Sequence, residues 1–160
     1  MPADRPHETG RVDALMSLFW LLAGWLGGAD GDAECLLLGG LDVVRTQAFV
    51  AGRVDRLSDV YVDDRAARAD AEVLRSYRER GLILGGMVLV RESCRVIERS
   101  RHRVTLDVVD HLGPTWVQTA DGRRRELPRD RPTRRTVVLE RVGNAWRVAA
   151  VGSGERGLQR

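Results

Sequence analysis

Between Leu37 and Gly81 the apolar residues recur every three or four positions, and beyond Gly81 they alternate with polar ones. The first period belongs to helices and the second to half-buried strands. Leu37, Leu41, Val44, Ala48 and Ala51 predict a helix that ends at Gly52. Gly39 and Gly40 fall inside it and weaken helix formation, so its start is expected nearer Leu41. A short second helix follows, with Asp55 as its cap and Leu57, Val60 and Tyr61 as its inner face. Asp63 or Asp64 caps a third, which turns Ala67, Ala71, Leu74 and Tyr77 inward before Gly81 stops it.

The alternating part predicts strands over 87–98, 103–112, 115–120, 134–142 and 145–151. Residues 99–102 join the first pair, Gly113-Pro114 breaks the chain, and Gly143-Asn144 is a two-residue hairpin signal. Short connections of this kind give an antiparallel meander, and the missing strand–helix–strand alternation argues against a parallel sheet. In the second strand Val104, Leu106, Val108 and Leu112 share the inner face with Asp110; in the last, Trp146, Val148 and Ala150 do the same. The expected class is α+β: three N-terminal helices packed on a curved antiparallel sheet of four to five strands.

Ahead of these elements, residues 14–28 (ALMSLFWLLAGWLGG) carry no charge. Fifteen uncharged residues lie between the length of a signal core and that of a bilayer span. Arg5 and Arg11 upstream and small residues up to Ala33 favour export, while Asp4, Glu8 and Asp13 spoil a positive leader. An export signal or short anchor, a helix packed on the domain, and a truncated longer span compete. Placement at or beyond a membrane is favoured over the cytoplasm. The organisation expected is a 1–33 segment, a 34–152 domain and a 153–160 tail.

Composition adds limits. A chain of 160 residues, 43% hydrophobic and 31% charged, suits one folded domain. All 26 basic residues are arginine, a pattern that a GC-rich genome explains without guanidinium chemistry. The net charge of +3 is uneven: residues 1–120 hold 15 Arg against 18 acids, and residues 121–160 hold 11 Arg against 5. Cys35 and Cys94 stand 59 positions apart with no CxxC and no histidine at ligand spacing, which disfavours zinc. They read as two buried thiols; a disulfide between them requires export. No metal and no cofactor is expected.

The runs LDVVRTQAFVAGRVDRLSDVYVDD, AARADAEVLRSYRERGL, RVTLDVVDHL and ERVGNAWRVAAV, with Gly143, Trp146 and Val148 in the last strand, resemble the nuclear-transport-factor-2-like (SnoaL-like, cystatin-like) superfamily over residues 36–151. The resemblance implies a cone, the sheet curling around a long helix. It implies no single activity, because that superfamily holds ketosteroid isomerases, cyclases, dehydratases and epoxide hydrolases beside members without catalysis. An isomerase would need a carboxylate base facing a hydroxyl or neutral-acid donor. Of the available groups Asp107, Asp110 and the outward His111, Asp110 is the best, and Tyr61 or Tyr77 would be the donor. Against catalysis, a strand-end aspartate is more often solvated or paired with arginine. His7, His102 and His111 are too dispersed for a triad. Gly39, Gly40, Gly85 and Gly86 make no phosphate loop, and Gly85-Gly86 reads as a turn into the sheet or a bulge.

Segment 121–135 holds seven arginines and two prolines against three acids. Arg123, Arg124, Arg125, Arg129 and Arg131 could grip an oxyanion, yet no aromatic lies in the segment for base stacking, which disfavours nucleic acid. The plain alternative is a solvated connector stiffened by Pro128 and Pro132. The leading expectation is a non-enzymatic domain that binds a small apolar ligand or a protein, with a homodimer through the sheet face implied by the resemblance and membrane contact through residues 14–28. The rivals are a SnoaL-like isomerase, cyclase or dehydratase, and an anion binder using the basic connector.

Overall fold

The computed structural model describes residues 30–153. The expectations for residues 14–28, the 1–33 segment and most of the 153–160 tail lie outside the described residues. Helix α1 (Asp30–Val50) is followed by a 3-10 turn (Val54–Asp59) and helix α2 (Asp64–Glu79). The strands are β1 (Ile83–Gly85), β2 (Leu89–Arg99), β3 (Arg103–Leu112), β4 (Trp116–Gln118), β5 (Arg124–Glu126), β6 (Thr133–Val142) and β7 (Ala145–Ser153). They form two antiparallel sheets, β2-β3-β6-β7 and β1-β4-β5. The class is α+β, but the single sheet expected from the alternation divides into a long one and a short one.

The long sheet carries the core. Val104, Leu106 and Val108 of β3 lie opposite Leu139, Val137 and Arg135 of β6, and Leu139 in turn lies opposite Val148 of β7. Leu106, Val108, Val137 and Leu139 have no exposed surface. Such cross-strand rows of branched residues are the unit of sheet stabilisation. Leu38, Leu41, Ala48 and Phe49 of α1, Leu57 and Val60 of the 3-10 turn, and Ala67, Ala71 and Leu74 of α2 complete the core.

Three bulges decide which side chains meet. In β2 the pairing skips Glu92 and Ile97, and in β7 it skips Ala149. An unpaired extra residue reverses the alternation beyond it. Arg91 and Cys94, three positions apart, therefore both sit opposite inward residues, Asp110 and Val108. Ala150, expected inside with Val148, is exposed for the same reason. Leu112 is only half-buried.

Helix α1 runs unbroken through Gly39 and Gly40, about ten residues earlier than the start expected at Leu41. Each glycine costs about 1 kcal/mol of helix propensity against alanine. Asp55 does not cap the second helix; it takes Arg53 in an exposed ion pair, and the 3-10 turn starts after Arg53 without a side-chain cap. Asp63 does cap α2, accepting from the Ala66 amide at 2.8 Å. Gly85 enters β1 because the Trp116 ring lies over it: a Cβ there would stand 2.1 Å from the ring.

The two cysteines are not separate buried thiols. Cys35 and Cys94 form a disulfide with a Cα separation of 6.0 Å, joining the first turns of α1 to the middle of β2. Arg91 Nη1 donates to the Cys35 carbonyl at 2.8 Å and Arg99 Nη2 pairs with Glu34 at 2.8 Å, so the same turns are held three ways. No described helix is long and apolar enough to cross a membrane.

Candidate functional site

Asp42 and Arg45 lie three residues apart on α1, among Leu38, Leu41, Ala48 and Phe49. That spacing places the two charges on the core-facing side of the helix. Asp42 meets arginines from two strands: Arg91 of β2 bonds its Oδ2, and Arg135 of β6 stands 3.9 Å from its Oδ1. Arg135 grips Asp110 of β3 with both Nε, at 2.9 and 3.0 Å, and Nη2, at 2.5 Å. Two carboxylates and two guanidiniums thus form one chain, Arg91–Asp42–Arg135–Asp110, with no net charge. The Asp110 side chain is 4% exposed and that of Asp42 10%.

A second cluster starts one turn along α1. Arg45 donates to Asp70 of α2 from Nε at 2.5 Å and Nη2 at 2.7 Å, and the Tyr61 hydroxyl donates to the same carboxylate at 2.6 Å. Burial raises the pKa of the Tyr61 phenol well above the ordinary tyrosine value, with the Asp70 charge adding to the rise against Arg45. It stays a neutral hydrogen-bond donor. Burial also moves Asp42 upward, the nearby Asp110 charge adding to it, while Arg135, Arg91 and Arg45 hold it down. For Arg45, burial pulls downward but the bonds to Asp70 outweigh it and raise its pKa.

Asp110 faces inward, as its alternation requires. It does not pair with either tyrosine: Tyr61 belongs to Asp70, and Tyr77 is half-buried beneath Arg80, whose guanidinium lies 4.9 Å from the ring centre. Asp107 is on the other face of β3, held by Arg95 at 2.8 Å and Arg134 at 3.1 Å. Both oxygens of Asp110 accept from Arg135, so the arrangement fastens β3 to β6 and, through Asp42, to α1.

The basic connector is partly a strand. Arg124 and Arg125 belong to β5 and pair with β4, and Arg134 and Arg135 belong to β6. Arg123 is taken by Asp121 at 2.7 Å, and Arg124 lies 4.2 Å above the Trp116 ring. Arg129 and Arg131 are exposed, and Asp130 between them accepts from the Leu112 amide at 2.9 Å. The five arginines do not converge on one carboxylate-free pocket. Trp116, Pro114, Leu127, Pro128 and Arg129 line a groove of about 530 Å³ beside them. Among the described residues no group of three His, Cys, Asp or Glu could hold a metal ion.

Asp42, Arg45, Asp70, Arg91 and Arg135 were not singled out from sequence. The α1 pair carried a signal: Asp42 falls four positions from Leu38, and Arg45 three or four from Leu41, Ala48 and Phe49, hence on the face that must be buried.

Two helices and two antiparallel sheets around this charged cluster define an α+β domain. No family model and no curated protein matches the chain. Among solved structures it is similar to the intermembrane space region of the chloroplast protein ARC6, with a TM-score of 0.54 and 11% identity over 78% of this chain and 98% of that one. At that identity the likeness is one of fold.

Proposed function

We propose that this chain is a non-catalytic binding domain of the nuclear-transport-factor-2-like kind, tethered by residues 14–28 and working on the oxidising side of a membrane. The Cys35–Cys94 disulfide carries this reading, because such bonds persist outside reducing compartments. The uncharged stretch of fifteen residues immediately ahead of α1 supplies the route there. In the cone that the resemblance implies, α1 lies across the inner face of the long sheet, and the Arg91–Asp42–Arg135–Asp110 chain is its fastening. Binding is favoured over isomerase or cyclase chemistry because Asp110 would first have to leave Arg135. The anion reading finds Arg123 and Arg124 already occupied. The ARC6 region, as its name says, also stands in an intermembrane space, which fits without adding a partner.

Helix α1 runs through Ala33, so cleavage there would remove its first turn; a retained anchor is preferred to a cleaved signal. Fractionating cells and sequencing the protein's N-terminus tests this. Membrane-bound chain that keeps residues 14–28 is expected. Intact chain starting at Met1 in the soluble cytosol would overturn the proposal.

A further inference from the structure

Helix α1 is apolar on both sides: Leu38, Leu41, Ala48 and Phe49 are buried in the core, yet its solvent side is apolar too. Its charged residues from position 33 onward all face the domain and are ion-paired there: Glu34 with Arg99, Asp42 with Arg91, Arg45 with Asp70. The side turned to solvent instead presents Ala33, Leu36, Gly40, Val43, Gln47 and Val50, without one charge. Leu36 is 76% exposed, Val43 54% and Val50 43%. A helix whose apolar residues lie on both faces is normally buried on both.

The six positions alternate in steps of three and four, the repeat by which one helix seats its side chains between those of another. Gly40 fits the same picture: nothing in the domain lies within 4 Å of where its Cβ would be, so no contact inside the chain calls for a glycine there. At the seam it lets a second backbone come close. In sequence, the same alternation runs back from Ala33 through Ala29, Leu26, Leu22 and Phe19.

We infer that this face pairs with the same face of a second copy of the chain, the two α1 helices side by side and parallel. The uncharged seam meets its own copy without repulsion, which a charged partner surface would not exploit. Two tethered chains also leave the membrane at the same end of α1, in register. The outer face of the long sheet is less suited, since it is crossed by the Arg95–Asp107–Arg134 and Arg103–Glu140 pairs. The inference rests on the tether proposed above.

The test is oxidative cross-linking of the full-length chain in membranes. Val43→Cys should give a reducible band at twice the monomer mass, while Ala69→Cys, on the exposed side of α2, should not. Val43→Glu should shift the native mass in detergent to one chain with an unchanged circular dichroism spectrum. If V43C remains a single chain in the membrane fraction, or A69C cross-links as readily, the dimer is wrong and the tether stands. If Leu22→Cys with Val43→Cys forms a bond within one chain, residues 14–28 cover α1 themselves, and both the dimer and the tether fall.

Discussion

Replacing Cys35 and Cys94 together by serine is expected to lower the unfolding free energy by about 4 kcal/mol. The bond closes a loop with a sequence separation of 59. Chain-entropy bookkeeping, ΔS of about −2.1 − 1.5R ln n cal/mol/K, gives roughly 4 kcal/mol at 25 °C for a loop of that length. For a domain of this size the melting temperature should fall by about 15 °C. Urea and thermal unfolding with and without reductant measure it directly. The Arg99–Glu34 pair, at the surface, offsets little of this. A change below about 1 kcal/mol would mean that the reduced, unfolded chain already keeps these two positions close.

The second large effect is at Asp110. Asp110→Ala removes the partner that receives three hydrogen bonds from Arg135, leaving the guanidinium with the Asp42 carboxylate at 3.9 Å. Removing one member of a buried pair costs about 3–5 kcal/mol, and Asp42, 3.9 Å from Arg135 and already bonded by Arg91, replaces only part of the lost partner. Replacing the pair, Asp110→Leu with Arg135→Met, should restore stability to within about 1–2 kcal/mol of the parent, since desolvation of both charges is then avoided. Asp42 keeps Arg91 in that variant. A catalytic carboxylate predicts the opposite sign: residues kept for chemistry are commonly neutral or stabilising to replace. A stable Asp110→Ala protein would return the isomerase reading to the front.

These two sites show where local sequence reasoning succeeds and where it stops. Helix α2 was legible because its cap at Asp63, its inward Ala67, Ala71 and Leu74 and its stop at Gly81 all agree. Strand β3 was legible because Val104, Leu106 and Val108 recur every second residue and its pairing with β6 runs without a shift. The β6–β7 turn was legible because Gly143 takes a positive φ of 60°. Strand β2 was not: the skipped Glu92 and Ile97 put Arg91 and Cys94 on one face, and no period-two reading places residues of odd separation together. The disulfide and the Arg91–Asp42 bond both depend on that reversal. Strand β5, three exposed residues Arg124-Arg125-Glu126, has no apolar alternation and exists through its pairing with β4. Asp110 was placed correctly on the inner face, but its role depended on Arg135, which the composition of segment 121–135 marked as part of a solvated connector.

Where the domain works is reported most directly by the state of its two cysteines in living cells. Acid-quenching cells, alkylating free thiols under denaturing conditions and weighing the intact chain counts the modified cysteines. No alkylated cysteine before reduction, and two after it, is the predicted result. Two alkylated cysteines in the unreduced sample would place the chain in a reducing compartment and contradict the account.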